Sequence, residues 1–569
     1  MAVEIIDTSM SADLITFKVL VSGELLPQSI HVLSIDVEKE VNRIPWAKLV
    51  IRDGDPATQE FSVSNEELFV PGKEIEIKAG YHSDEETIFK GIVIKLNLKI
   101  RSNGSFLIVE CRDKTVKLTV GRKSRYFYDI SDSEMIDSIV NPYGLEKDIE
   151  STSVMHKELV QYNVTDWDFC VARAQANGKI FVVDDGKVMV KSPNLNQDNV
   201  DTVSFGSSLL EFDAEIDARN QFQKVTAYGW SFADQELLES EANSSEPLSE
   251  VIGLDNLELI NGGSGSASLQ QWADSKLLFN ELAKIRGRVK FQGIPGVKPN
   301  TMLMLDGVGN KFSGKVFVSA VRHQIADGNW TTDAQFGFNP KWFTETADIN
   351  DLPAAGLTAA VNGLQIGIVT QLESDPDGEE RILVRLPVVD NKEQGIRARV
   401  ASLDAGEDRG AFFRPEIGDE VVVGFINGNP NEAVVLGMMN SSAKPAPISA
   451  SDDNHEKGFV TRSGIRFIFN DEKKSAILET PGGKRVTLDD DSGVIQLEDD
   501  NGNKVLIDSE GISIDSKGDI NLKATGDILI EGTNISAKAM AQFKAEGSAG
   551  AELSTSAVAV VKGSLVQIN

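Results

Sequence analysis

Apolar and polar residues alternate in short runs along most of this chain. The alternation is plainest near the C-terminal end, where "GISIDSKGDINLKATGDILIEG" (511–532) repeats every eight residues. Ile512 and Ile514, Ile520 and Leu522, and Ile528 and Ile530 stand two apart in successive units, and Gly-Asp recurs at 518–519 and 526–527. A period of two bounded by Gly and Asp predicts β-strands. The same pattern predicts earlier strands at 46–53, 73–81, 88–100 and 105–113. Two helices interrupt it. Ser131 and Glu134 have capping-box spacing and precede Met135, Ile136, Ile139 and Val140 on one face. A second helix follows Thr165, carries Trp167, Phe169 and Cys170, and stops at Asn177-Gly178. "KIFVVDDGKVMV" then reads as a hairpin around Asp-Asp-Gly.

Breaks in the pattern divide the chain. Residues 237–266 are polar, acidic and then Gly/Ser-rich, which predicts an exposed connection, and an amphipathic run, "LQQWADSKLLFNELAKIRG", follows. Short strands return up to a boundary near 350. The organisation expected is a β-rich block over 1–350, a linker at 351–363, a compact all-β unit at 364–440, a Pro/Ser-rich linker at 441–463 and a strand-dense region at 464–569. Five strands with turn-rich joints in the 364–440 unit suit a small Greek-key barrel such as the OB-fold.

The octads pose a packing problem. Each unit leaves five or six residues for a strand and two or three for a corner, and each strand offers only a slim apolar stripe. A single-chain β-helix needs a thick apolar interior. Three identical chains wound around one axis need only the stripes, because the Ile and Leu pairs of all three converge and each backbone edge pairs with a neighbouring chain. About ten strands over 484–569 at ~4.8 Å each would make a prism roughly 50 Å long. The fold class expected is mainly β with minor α, ending in an intertwined, triple-stranded β-helical needle.

Composition sharpens this picture. The 569 residues are 41% apolar, and Lys+Arg 56 against Asp+Glu 87 leaves a net charge of −31, which argues against a sequence-independent hold on nucleic acid or an anionic membrane. The N-terminal residues lack the pattern of a secretory signal, so synthesis in the cytoplasm is expected. Cys111 and Cys170 read as buried thiols. Five histidines are scattered without metal-ligand spacing; "LDDDSG" and "LEDDNGN" lack the ligand pattern of a calcium loop and read as solvated corners. "GGSGSAS" lacks the Gly-Lys-Ser/Thr of a phosphate loop, and Ser463 sits in no Gly-x-Ser-x-Gly elbow. No catalytic, cofactor or metal residue is expected.

Residues 415–441, "PEIGDEVVVGFINGNPNEAVVLGMMNS", resemble the signature of the OB domain in phage-hub and VgrG-type proteins. Pro415, Ile417, Gly418, Asp419, Glu420 and Val421 match its core, and Gly428, Asn429 and Pro430 its turn. Upstream phrases such as "KEVNRIPWAKLVIRDGD", "FVPGKEIEIKAGY" and "FSGKVFVSAVRHQIADGNWTTDAQFG" resemble the hub domain of the same family. The resemblance implies hub β-barrel domains, an OB barrel and a needle in one homotrimeric central spike of a contractile injection system, either a type VI secretion tip protein or the spike of a phage-tail-like particle. It also implies docking on a hexameric inner tube protein, contact with baseplate proteins, possible effector cargo, transient contact with a target membrane and delivery outside the cell. No lysozyme domain or His-x-His cap is present. A PAAR-type tip protein is therefore the expected cover for Leu565, Val566 and Ile568. The alternatives are a trimeric glycan-binding fibre and a β-helical polysaccharide lyase.

Overall fold

The structure, a computed structural model, describes residues 14–244, 255–262 and 265–568. The chain divides into two compact units, one running to Asn362 and including Ile426–Pro430, the other holding Gly363–Phe425 and the remainder from Asn431.

The first unit is built on a 13-stranded sheet. Its backbone is a path of eight strands: β1 (Val32–Glu40), β2 (Trp46–Arg52), β3 (Asp84–Arg101), β4 (Gly104–Arg112), β5 (Leu209–Ile216), β6 (Ile285–Gln292), β7 (Gly314–Ala326) and β8 (Asn329–Phe336). They pair in the order β5-β6-β8-β7-β1-β2-β4-β3, each step antiparallel. Alternation sends one face inward. Val37, Leu49 and Val109 join one apolar core with Ile77 and Phe89, while Val289, Phe291, Val321 and Ala334 join a second. The β7–β1 pairing makes the two halves one sheet.

The first predicted helix is α1 (Asp132–Val140), with Ser131 and Glu134 closing the capping box. The second is α2 (Asp166–Ala176), capped by Thr165, and Gly178 follows in the left-handed region at φ 67°. Both pack in a core with Phe181, Val183 and Val188 of the predicted hairpin, whose strands Ile180–Asp184 and Lys187–Lys191 pair antiparallel. Lys39 of β1 is buried and holds the hairpin turn through Asp184 at 2.5 Å and Asp185 at 2.9 Å. Burial opposes charge on Lys39, but these two carboxylates outweigh it and raise its pKa.

The connection expected at 237–266 is corrected in part. Glu236–Asn243 pairs antiparallel and Asn256–Ile260 parallel with Lys224–Ser231, and this small sheet packs on α3 (Ser266–Leu282). The polar residues that suggested a loop occupy its solvent face. Residues 245–254 and 263–264 of that expectation lie outside the described residues.

In the second unit, β9 (Gln365–Gln371), β10 (Ile382–Arg385), β11 (Ile396–Val400), β12 (Glu420–Phe425) and β13 (Ala433–Met438) close a five-stranded barrel around Val369, Val384, Val421, Val423 and Val435. A seven-stranded antiparallel meander follows: β14 (Glu456–Val460), β15 (Arg466–Asn470), β16 (Ser475–Glu479), β17 (Arg485–Asp489), β18 (Val494–Glu498), β19 (Lys504–Asp508) and β20 (Gly511–Asp515). Two expectations change here. The sheet starts at Glu456, inside the stretch read as linker 441–463. The strands expected through 569 stop at Asp515 within one chain, and residues 516–568 carry none.

Candidate functional site

The meander is a series of hairpins closed by short polar turns. Asp489, Asp499 and Asp508 each accept main-chain N–H groups two or three residues on, and Gly493, Gly502 and Gly511 follow with positive φ. The side chain and main chain of Asn503, together with Asn501, hold the Asp499 carboxyl down at about 2. The acidic runs are hairpin corners.

Register converts the alternation into two apolar ladders on one face. Phe459, Phe467, Leu478, Val486, Leu497, Val505 and Ile514 stand opposite one another across all seven strands. Two residues away run Phe469, Ala476, Leu488, Ile495, Ile507 and Ile512. The opposite face is thinner in hydrocarbon, with Thr487, Gln496 and Ser513 among its rungs. Within one chain the ladder face is largely bare: Leu488 and Leu497 are each 49% exposed. An apolar face of this extent is an interaction surface rather than a stable solvent boundary.

Beyond Asp515 the turn chemistry changes. Gly518 and Gly526 do not adopt the positive φ that closes the earlier hairpins. The octads form no hairpin of the kind seen earlier, and residues 516–568 have no strand partner within the chain. Ile520, Leu522, Ile528 and Ile530 are all exposed, as are Ile512 and Ile514 at the end of the meander. Leu565, Val566 and Ile568 lie in the same strandless stretch, Ile568 at 90% exposure.

The barrel motif has a local explanation. Asp419 returns its N–H to the carbonyl of Glu416, and its carboxylate accepts the Glu416 N–H, with Gly418 at φ 86° between them. That is a type II turn, in which the third residue must take positive φ. Pro415 precedes the turn, Ile417 caps it in solvent, and Glu420 and Val421 begin β12, with Val421 buried in the barrel. Gly428, also at positive φ, accepts the Val361 N–H at 2.8 Å, and Asn429 and Pro430 complete that turn. Phe413, just before the motif, stacks on Phe459 at 5.2 Å, and Arg462 reaches Glu416 at 2.7 Å, joining the barrel to the first rung of the ladder. The motif residues serve the barrel, whereas the C-terminal residues form the open face.

Residues 11–327 match the Alg8 N-terminal domain, residues 365–439 the type VI secretion system/phage-baseplate injector OB domain, and residues 475–569 the phage baseplate V C-terminal trimerisation domain. The chain belongs to the Alg8 N-terminal domain family. The injector OB domain coincides with the five-stranded barrel, and the trimerisation domain covers the ladder strands from Ser475 onward and the octads. This Alg8-family chain is thus a structural spike component that trimerises and associates with the baseplate of an injection apparatus. No curated protein matches it. Among solved structures it is similar to a tail protein from Neisseria meningitidis (16% identity, 58% of this chain and 98% of that one, TM-score 0.45). It is also similar to a type VI secretion component from E. coli (13%, 74% and 100%, TM-score 0.37) and to the lidded Francisella PdpA-VgrG complex (11%, 88% and 80%, TM-score 0.38).

Sequence reasoning named Ile512 and Ile514 but missed the larger part of the face, Phe467, Phe469, Leu478, Leu488, Ile495, Leu497 and Ile507. Their signal was the same period of two, spaced by turns of unequal length rather than by a strict octad. Among the described residues no cluster of His, Cys, Asp or Glu has metal-binding geometry, and no helix is long and apolar enough to cross a membrane.

Proposed function

We propose that three copies form the central spike of a contractile injection apparatus, with the ladders and then the octads of the three chains converging into a needle. The observation that carries this is the exposed apolar ladder face, followed by octads that form no strand within their own chain. On this reading Ile512, Ile514, Ile520, Leu522, Ile528 and Ile530 line the needle axis. The first unit receives the hexameric inner tube, the barrels form a collar, and the needle concentrates the force of contraction on a small area of target membrane. A prism in which every strand is bonded to a neighbour resists bending. The role then requires stiffness, and no residue here is assigned to catalysis. Synthesis in the cytoplasm is followed by assembly into the particle and delivery outside the cell, with any effector cargo carried on the spike.

Three copies of Leu565, Val566 and Ile568 at one end would make an adhesive surface. A PAAR-type tip protein that adds its strands there covers it. Light scattering of the full-length chain should give a trimer; a stable folded monomer would remove the basis of the proposal. Deleting residues 564–569 should abolish capture of the tip protein while leaving the trimer intact. Capture at full affinity by the shortened spike would place that contact elsewhere.

A further inference from the structure

The chain between Asn350 and the barrel contains a turn of the wrong hand for its residues. Upstream the path is fixed, because the Arg122 guanidinium donates to the carbonyls of Ile349 at 2.9 Å and Asn350 at 3.1 Å, and Ile349 packs on the core of α1 and α2. Downstream, β9 begins at Gln365. Between these anchors "PAAG" (353–356) makes a left-handed turn, with Ala354 at φ 54°, ψ 28°, Ala355 at φ 52°, ψ 20° and Gly356 at φ 69°. The Leu357 N–H closes it on the Ala354 carbonyl at 3.0 Å.

In this region a Cβ crowds the following carbonyl oxygen, which disfavours each residue about five- to thirtyfold, so glycine and asparagine normally supply such turns. Among the described residues every other non-glycine residue at positive φ is polar. The turn that faces this one obeys the rule. "INGN" (426–429) is also left-handed, with Asn427 at φ 49°, ψ 30° and Gly428 at φ 69°. The two turns belong to the first compact unit and lie close together. Val361 donates its N–H to Gly428, and a Cβ at Gly428 would stand 3.3 Å from that of Ala360 and 3.8 Å from that of Pro353. Ala354 is 3% exposed, whereas the Ala355 side chain is open to solvent.

Strained backbone persists only where its surroundings over-determine it, and here the surroundings are the enclosure of Ala354 and the bond from Val361. Away from the 426–430 turn nothing holds the two alanines left-handed, and both regain the ordinary regions. Three residues wound at ~2.0 Å each would then extend to ~3.3 Å each.

We infer that residues 353–361 are a strained clasp on the 426–430 turn, set to open before the folds on either side of it and to lengthen the linker by about 4 Å when it does. In a spike driven against resistance, that travel comes before either fold is loaded. This use rests on the spike reading above; the clasp itself does not.

Hydrogen exchange on the full-length chain, read at single amides, tests the clasp. The amides of Leu357 and Val361 are bonded only while it is shut. In the wild type they should share one protection factor, lower than that of the amides in β7 and β12. If they are protected as strongly as those strands, the clasp opens only on unfolding and the inference is overturned. Replacing the exposed Ala355 changes the conformational cost without removing packing. Ala355→Asn, which tolerates the left-handed region, should slow both amides about fivefold, and Ala355→Val, whose β-branch does not, should speed both. Equal protection in all three proteins would show that no strain is held there and would also overturn the inference. The expected exchange in a chain that light scattering finds monomeric would uphold the clasp and remove the spike reading.

Discussion

His323 shows how a single buried residue sets a pH limit for the first unit. It lies in β7, fully enclosed, with Nδ1 3.0 Å from the Thr332 hydroxyl. Burial first, and then the positive charges of Lys39 and Lys298, push its pKa down to about 3. An unfolded histidine titrates near 6.5. The unfolded chain therefore binds more protons between these values, and the stability contributed by neutral His323 is complete above pH 6.5 and lost progressively as pH falls. From pH 6.5 to 4.5 that loss is about 2–3 kcal/mol. Thermal unfolding of the wild type should drop steeply over this window, and His323→Gln, which can still bond Thr332, should flatten the drop. An equal slope in the variant would assign the acid sensitivity to other groups. None of this was legible in the sequence, where His323 was one of five scattered histidines and its enclosure depends on the β7–β8 and β7–β1 pairings.

At the scale of elements, the two faces of the meander differ in what a charge would meet. Leu497→Asp places a carboxylate in the ladder, and Ile520→Asp or Ile528→Asp places one in the octads. If three chains converge there, each buried unpaired charge costs several kcal/mol. The variants should lower the melting temperature and protease resistance of the C-terminal region relative to wild type while the first unit stays folded. Ser513→Asp, on the opposite face, should change stability by about 0.5 kcal/mol or less. If Leu497→Asp behaved like Ser513→Asp, the ladder would not be an interface. The strands and α1, α2 and the hairpin after them were readable because each carries a local instruction: a period, a cap, or a turn residue at positive φ. The strands at Glu236–Asn243 and Asn256–Ile260 were not, because their polar composition matches a loop and only pairing with Lys224–Ser231 makes them sheet.

For the whole molecule, the proposed needle makes folding of the C-terminal region and association of chains one process, since residues 516–568 form no strand within the chain. Its melting temperature should therefore rise with protein concentration, as binding that stabilises only the native state requires. Calorimetry at two concentrations differing about a hundredfold checks this, and a concentration-independent transition would indicate a region that folds alone. What the sequence by itself determined was the mainly β class, the five-stranded barrel and the spike kinship, because each of these follows from local periodicity, turn chemistry or motif. What only the tertiary structure decided was where residues distant in sequence face each other. Register lines up Leu478, Leu497 and Ile514 into one ladder, and the β7–β1 pairing joins two halves of the first unit that are distant in sequence into one sheet. The reason is physical: alternation assigns a side chain to one of two faces, but which neighbours share that face depends on strand order, and strand order is set by packing of the assembled sheet.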